Sequence, residues 1–196
     1  MDNLNKKKKI KGKYNSTSYF YDERYKEIQF EKYQRIIKRK DLKNRTILDA
    51  GCGTGLISEF FQEEYDVIDQ SNFKYVGVDL SIEMINIFKK KLGKVYRKAL
   101  GFFNLILADL ENLPFRVDSF NLLISITSYQ NLPDVKRGVK ESLRTLREKS
   151  FIIISILKKK LDKETLISLL EDEIEIIKFI NDNKLEDFLI SGRKIN

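Results

Sequence analysis

Short apolar runs alternate along this chain with segments whose apolar residues recur every three or four positions. Thr46–Ala50, residues 74–78 closed by Asp79, residues 103–108, Phe120–Ile126 and residues 151–157 read as buried strands. Between them, Leu56/Phe60 and Ile57/Phe61 predict a helix over 55–64. Met84, Ile85, Phe88 and Leu92 predict a second, with Ser81 as its N-cap. Leu132, Val135, Val139, Leu143 and Leu146 mark a third. Ahead of the first strand, residues 21–40 lack Gly and Pro and set Tyr25, Ile28, Tyr33, Ile36 and Ile37 at helical spacing. A helix over 162–170 and a hairpin of Ile174–Ile180 and residues 188–191, turning at Asn181-Asp182-Asn183, close the chain. Consecutive isoleucines in the fifth strand call for cover on both faces, as in a parallel sheet. The expected fold is α/β, a doubly wound Rossmann-like sheet, mostly parallel with a C-terminal antiparallel hairpin, binding ligands at strand carboxyl ends.

Length and charge refine this picture. The 196 residues (23.1 kDa) suit one domain, expected over 14–196, with a lid or helix in 14–45 and the sheet core in 46–196. The net charge of +8 is uneven, because residues 1–13 carry +5 of it and read as a basic flexible tail. Two further basic clusters fall at 35–45 and 136–160. The chain has no histidine, which excludes His-based triads and His general bases, and the lone Cys52 excludes an internal disulfide or multi-Cys zinc site, so no metal site is expected. No apolar run approaches the roughly 20 residues that span a bilayer. With one cysteine and no signal, the expected compartment is the cytoplasm.

The densest chemistry lies in Ile47-Leu48-Asp49-Ala50-Gly51-Cys52-Gly53-Thr54-Gly55-Leu56, a strand entering a glycine turn and then a helix. A P-loop requires Gly-Lys-[Ser/Thr], but Leu56 follows Gly55. The dinucleotide fingerprint requires glycine where Leu56 stands. What remains is acidic-x-Gly-x-Gly-x-Gly, and the carboxylate of Asp49 suits a cationic ligand better than a pyrophosphate. This segment resembles motif I of the class I S-adenosylmethionine-dependent methyltransferases, of the type 11-like kind. The resemblance continues in Tyr75-Val76-Gly77-Val78-Asp79-Leu80-Ser81, in Leu107-Ala108-Asp109-Leu110-Glu111-Asn112-Leu113-Pro114-Phe115 and in Asp118-Ser119-Phe120-Asn121-Leu122-Leu123-Ile124-Ser125. It implies S-adenosylmethionine as cofactor and S-adenosylhomocysteine as product. It also implies that Asp79 takes both ribose hydroxyls with Leu80 beside it, that Asp109 receives the adenine amino group with Leu110 beside the ring, and that Ser125 ends the strand passing under the methionine part. Gly51, Cys52 and Gly53 would form the loop, with Cys52 a small residue beside the cofactor. Tyr19-Phe20-Tyr21-Asp22-Glu23-Arg24-Tyr25 resembles the Tyr-Asp-bearing lid of many relatives, which adds Tyr21 and Tyr25 to the cofactor contacts. Gln29 or Lys32 then either reaches the cofactor carboxylate or belongs to a solvated helix face. Met84 is expected in the core of its helix.

Methyl transfer from a sulfonium needs alignment more than a fixed catalytic side chain, so none is assigned. Carbon-5 methylation of pyrimidines lacks its cysteine nucleophile, and the Asn/Asp-Pro-Pro-aromatic motif is missing. Tyr129, Gln130 and Asn131, after the fourth strand, are candidate acceptor contacts. Ser125 to Gln130 resembles the loop of ribosomal guanine methyltransferases that act at ring nitrogen 7 with a small zinc-ribbon activator, and that activator is a possible partner. The expected function is methyl transfer to a base nitrogen of rRNA or tRNA. A small metabolite or protein side chain is the alternative acceptor, and a non-catalytic cofactor-binding subunit the third reading, against which Asp49, Asp79 and Asp109 speak.

Overall fold

A computed structural model describes residues 2–65, 73–95 and 102–195. Helices α1 (Asp2–Thr17), α2 (Tyr21–Ile36) and α3 (Arg39–Leu42) precede the sheet, with a 3-10 turn at Ser18–Phe20. There follow β1 (Thr46–Ala50), α4 (Leu56–Tyr65), β2 (Lys74–Asp79), α5 (Ile82–Val95), β3 (Phe103–Leu107) and β4 (Phe120–Ile126). A 3-10 turn at Tyr129–Asn131 leads to α6 (Val135–Arg144), β5 (Leu146–Leu157), α7 (Lys163–Leu170), β6 (Ile174–Ile180) and β7 (Asp187–Lys194). The strands form one sheet in the order β3-β2-β1-β4-β5-β7-β6, with β7 antiparallel to both neighbours and the other pairs parallel. Strand order reverses between β1 and β4, so the carboxyl ends there open a crevice in which this fold binds ligands.

Period-2 alternation sorts the core onto two faces. Ile47, Leu122, Ile124 and Ile153 pack with Tyr33, Phe60, Phe61 and Phe88 from α2, α4 and α5. Leu48, Leu123, Ile152 and Ile154 pack with Val139, Leu143, Leu166 and Leu170 from α6 and α7. Ser81 caps α5 by accepting from Met84 N–H at 3.2 Å, and Asp134 caps α6 by accepting from Arg137 N–H at 2.9 Å.

The last strand is longer than the expected 188–191, the helix expected over 21–40 breaks after Ile36, and two further differences stand out. β5 starts five residues early, at Leu146, because Leu146 pairs with Phe120 across a register shift. The exposed Arg147, Glu148 and Lys149 conceal that start in the sequence, and Lys149 sits at φ 57°. The second is the N-terminus, expected as a flexible tail. Residues 2–17 form α1, with most lysines in solvent. Ile10 and Tyr14, four apart, face the crevice at the strand ends. The lysine run masked that short apolar face.

Candidate functional site

The glycine turn after β1 is shaped by backbone conformation. Gly51, Gly53 and Gly55 have φ of 90°, 54° and 81°. Gly51 and Cys52 N–H groups both donate to Val78 C=O, at 2.8 and 3.0 Å, which ties the turn to β2. A Cβ on Gly51 would stand 1.9 Å from Ser128 Oγ and one on Gly55 2.2 Å from the Phe88 ring, so the turn has no room for side chains at these two positions. A Cβ on Gly53 would instead meet open space, and Gly53 lines a cavity at the strand ends. Its other walls include Ile10 and Tyr14 of α1, Tyr21 of α2, Leu80, Met84 and Leu110, with the carboxylates of Asp79 and Asp109 among them.

The carboxylates are differently placed. Asp79, at the end of β2, accepts from Gly53 N–H at 3.0 Å and Ser81 N–H at 2.8 Å, and burial raises its pKa despite those donors. An anion so desolvated suits a ligand that brings hydroxyl donors or positive charge. Asp109 receives Lys7 Nζ from α1, which also pairs with the buried Glu111. Glu111 in turn accepts from Asp134 N–H at 2.7 Å, so the charge of α1 is anchored to the start of α6. Asp49 is 4% exposed and does not line the cavity. Desolvation pushes its pKa up to about 7, against the Tyr75 hydroxyl that donates to it and with help from Asp79.

A second cavity of about 550 Å³ adjoins the first and shares Tyr14, Tyr21, Thr127 and Asn131 with it. At the junction Thr127 holds φ 57°, an outlier for a β-branched residue. A buried network holds it there. Lys32 Nζ donates to Thr127 Oγ1 at 2.8 Å and pairs with Asp187 at 2.8 Å, while Thr127 Oγ1 and Ser155 Oγ donate to Asp187 at 2.8 and 3.0 Å. Lys13, Arg24, Lys159 and Lys160 line this cavity against one acid, Glu186, and Phe20, Tyr21 and Tyr25 supply rings.

Of the expected cofactor contacts, the structure brings Tyr21, Gly51, Gly53, Asp79, Leu80, Asp109 and Leu110 to the first cavity. Asp49, Cys52, Ser125 and Tyr25 lie off it. Cys52 packs behind the turn, near Gly77, and Ser125 Oγ donates to Ala50 C=O at 2.9 Å within the sheet. Tyr25 lines the second cavity. Among the acceptor candidates, Asn131 lines both cavities and Gln130 the second, but Tyr129 is fully buried in the core under α6. Lys32 is spent on Asp187 and Thr127. Met84, expected in the core, also lines the first cavity, together with Ile10, Tyr14, Thr127 and Ser128, which local motifs did not single out.

The Methyltransferase domain family matches residues 48–154, the segment from β1 to β5 that carries these cavity walls. An uncharacterized protein of Methanocaldococcus jannaschii is 32% identical over 152 residues, covering 75% of this chain and 51% of that protein. A malonyl-[acyl-carrier protein] O-methyltransferase of Hamiltonella defensa is 33% identical over 118 residues, 60% of this chain and 40% of the relative. The chain thus spans about half the length of these curated relatives. In structure it is similar to a magnesium protoporphyrin IX methyltransferase from Synechocystis solved with bound S-adenosylmethionine, at TM-score 0.75 and 15% identity, covering 96% of this chain and 97% of that one. A S-adenosylmethionine-dependent methyltransferase from Aquifex aeolicus superposes at TM-score 0.69 with 16% identity, covering 96% and 98%. With the glycine turn, the strand-end carboxylates and the family match over more than half its length, the chain belongs to the class I S-adenosylmethionine-dependent methyltransferases.

Proposed function

We propose that this methyltransferase acts on RNA, with a base nitrogen of rRNA or tRNA as the acceptor. The observation that carries the reading is the second cavity, which opens beside the cofactor pocket and is lined by Lys13, Arg24, Lys159 and Lys160, besides the Asp187-paired Lys32, against one acid, with aromatic rings between them. Lysine and arginine at such a mouth make sequence-independent phosphate contacts, and aromatic rings stack bases. Tyr19 and Phe20, 84% and 59% exposed, extend that aromatic surface outward.

S-adenosylmethionine, when bound, supplies an electrophilic methyl group on a sulfonium. The residues of the first cavity fit it. Asp79, held by backbone donors on both oxygens, lines the pocket as an acceptor for ribose hydroxyls, and Leu80, Leu110, Ile10 and Met84 give apolar walls for a ring. Asp109 is the acceptor for an adenine amino group, a role that requires Lys7 to yield one of its two carboxylate partners. At the junction, Thr127 and Asn131 separate the two cavities, and Asn131 is fixed there by donating to Tyr14 Oη at 2.9 Å. The chain's contribution is then alignment of an acceptor lone pair and exclusion of water, with the acceptor proton passing to solvent.

A second reading rests on the relatives, whose names give malonyl-[acyl-carrier protein] and quinone precursors as substrates. A small anionic metabolite would suit the same cationic lining. A small zinc-ribbon activator, suggested by the resemblance of Ser125 to Gln130, stays part of the RNA proposal. The test is incubation with tritiated S-adenosylmethionine and separate total-RNA, protein and metabolite fractions. Label in RNA that falls with added salt supports the reading, and label confined to the metabolite fraction overturns it.

A further inference from the structure

The second cavity contains buried polar atoms that the protein itself leaves unsatisfied. Gln29 is 5% exposed, and its Oε1 has no hydrogen-bond partner, while its amide is engaged with the Tyr21 hydroxyl. Gln130 has both amide atoms, Nε2 and Oε1, buried without partners. Both side chains line the same chamber. Buried amides in native proteins are almost always paired, since removal from water without a replacement bond is costly. Around them the pairing is complete. Thr127, Ser155, Lys32 and Asp187 bond one another, and Asn131 Nδ2 reaches Tyr14. Among the described residues that line the chamber, the buried side-chain atoms left without a hydrogen bond belong to these two glutamines.

What would satisfy them has a definite chemistry. Gln130 offers a donor and an acceptor in one plane, and Gln29 a further acceptor. A planar group with adjacent donors and acceptors on its edge fits that set, as when a glutamine pairs bidentately with a base. Tyr21 and Tyr25, with ring centroids 4.8 Å apart, form an aromatic wall of the same chamber, and Arg24, Lys159 and Lys160 line it with positive charge. Ring stacking, edge pairing and an anion site thus converge in one place.

We propose that Gln29 and Gln130 read the edge of a nucleobase held in this chamber, with its phosphate on Arg24, Lys159 and Lys160. The assignment rests on the RNA reading above and names the residues that select the base. A site built to hydrogen-bond a polar edge rejects ligands lacking it, because its own groups are then left unpaired.

The test uses the full chain saturated with S-adenosylhomocysteine and titrated with AMP, GMP, CMP, UMP and ribose 5-phosphate by calorimetry. One nucleotide is expected to bind at least about tenfold tighter than ribose 5-phosphate. Gln29→Leu and Gln130→Leu are expected to flatten the preference among bases while leaving ribose 5-phosphate and S-adenosylhomocysteine binding unchanged. Because leucine removes an amide with both atoms unsatisfied, Gln130→Leu is expected to melt at or above the wild-type temperature, which separates lost recognition from lost folding; Gln29→Leu, which also gives up the bond to the Tyr21 hydroxyl, is read only where its thermal scan shows a single native-like transition. Wild-type discrimination in both variants, or ribose 5-phosphate binding as tightly as every nucleotide, overturns the assignment. RNA labelled by the enzyme while the variants keep their discrimination refutes this site alone. Base-selective nucleotide binding with no labelling of RNA refutes the RNA reading alone.

Discussion

Raising the pH from 4 to 8 is expected to weaken the fold through Asp49. The side chain is 4% exposed at the middle of the sheet, and desolvation lifts its pKa from 3.8 to about 7, with the Tyr75 hydroxyl opposing and Asp79 adding to the effect. A carboxyl whose folded pKa is raised binds more protons folded than unfolded. Its contribution is therefore neutral below pH 4, becomes a growing penalty between about 4 and 7, and is constant above. Three pKa units at about 1.4 kcal/mol each bound the penalty at about 4 kcal/mol. Asp49→Asn keeps the shape and an acceptor for Tyr75 but cannot ionise. Urea unfolding of both proteins at pH 4.5, 6 and 8 measures the difference. Carboxylates held low, such as Glu141 beside Arg144, titrate alike in both and cancel. The stability of the wild type relative to Asp49→Asn is expected to fall by 2 to about 4 kcal/mol across the range. Parallel curves would show that Asp49 keeps its charge at no cost, and would refute the reasoning.

Lys32→Met leaves Asp187 buried without its cation and is expected to cost about 3–5 kcal/mol by chemical denaturation, whereas adding Asp187→Leu recovers most of the loss. Gly55→Ala drives a Cβ to 2.2 Å from the Phe88 ring at φ 81°, so a cost of about 2 kcal/mol, or a melting temperature lower by about 4–8 °C, is expected in a thermal scan. Lys7→Met frees Asp109 as an acceptor at a partly exposed site and is expected to tighten S-adenosylmethionine binding by about two- to fivefold in equilibrium dialysis.

Most of the sheet was legible because most strands carry a short apolar run, and helices join β1 to β2, β2 to β3, β4 to β5 and β5 to β6. β1, β4 and β6 fall on their expected bounds. The acidic-x-Gly-x-Gly-x-Gly turn and the aspartates closing β2 and following β3 were legible for the same local reason, since a turn states its own backbone needs. Side-chain direction was not. Asp49 and Asp79 both belong to motif segments, yet Asp49 turns to Tyr75 inside the sheet while Asp79 faces the cavity. Tyr129 follows β4 as an acceptor residue would, but the 3-10 turn sends it into the core under α6. Contacts between distant segments were hidden as well. Ile10 and Tyr14 join the pocket on a helix whose Lys7 finds Asp109 and Glu111 about a hundred residues on and whose Tyr14 accepts from Asn131, pairings that no local spacing encodes.

The account's central claim is that the cavity between the glycine turn, Asp79 and α1 holds S-adenosylmethionine. Calorimetric titration of the cofactor into the wild type and Asp79→Asn tests it most directly. One-to-one binding to the wild type, weakened about 10- to 100-fold by loss of the charged acceptor, is the expected result. No binding to the wild type, or equal affinity in the two proteins, would contradict it.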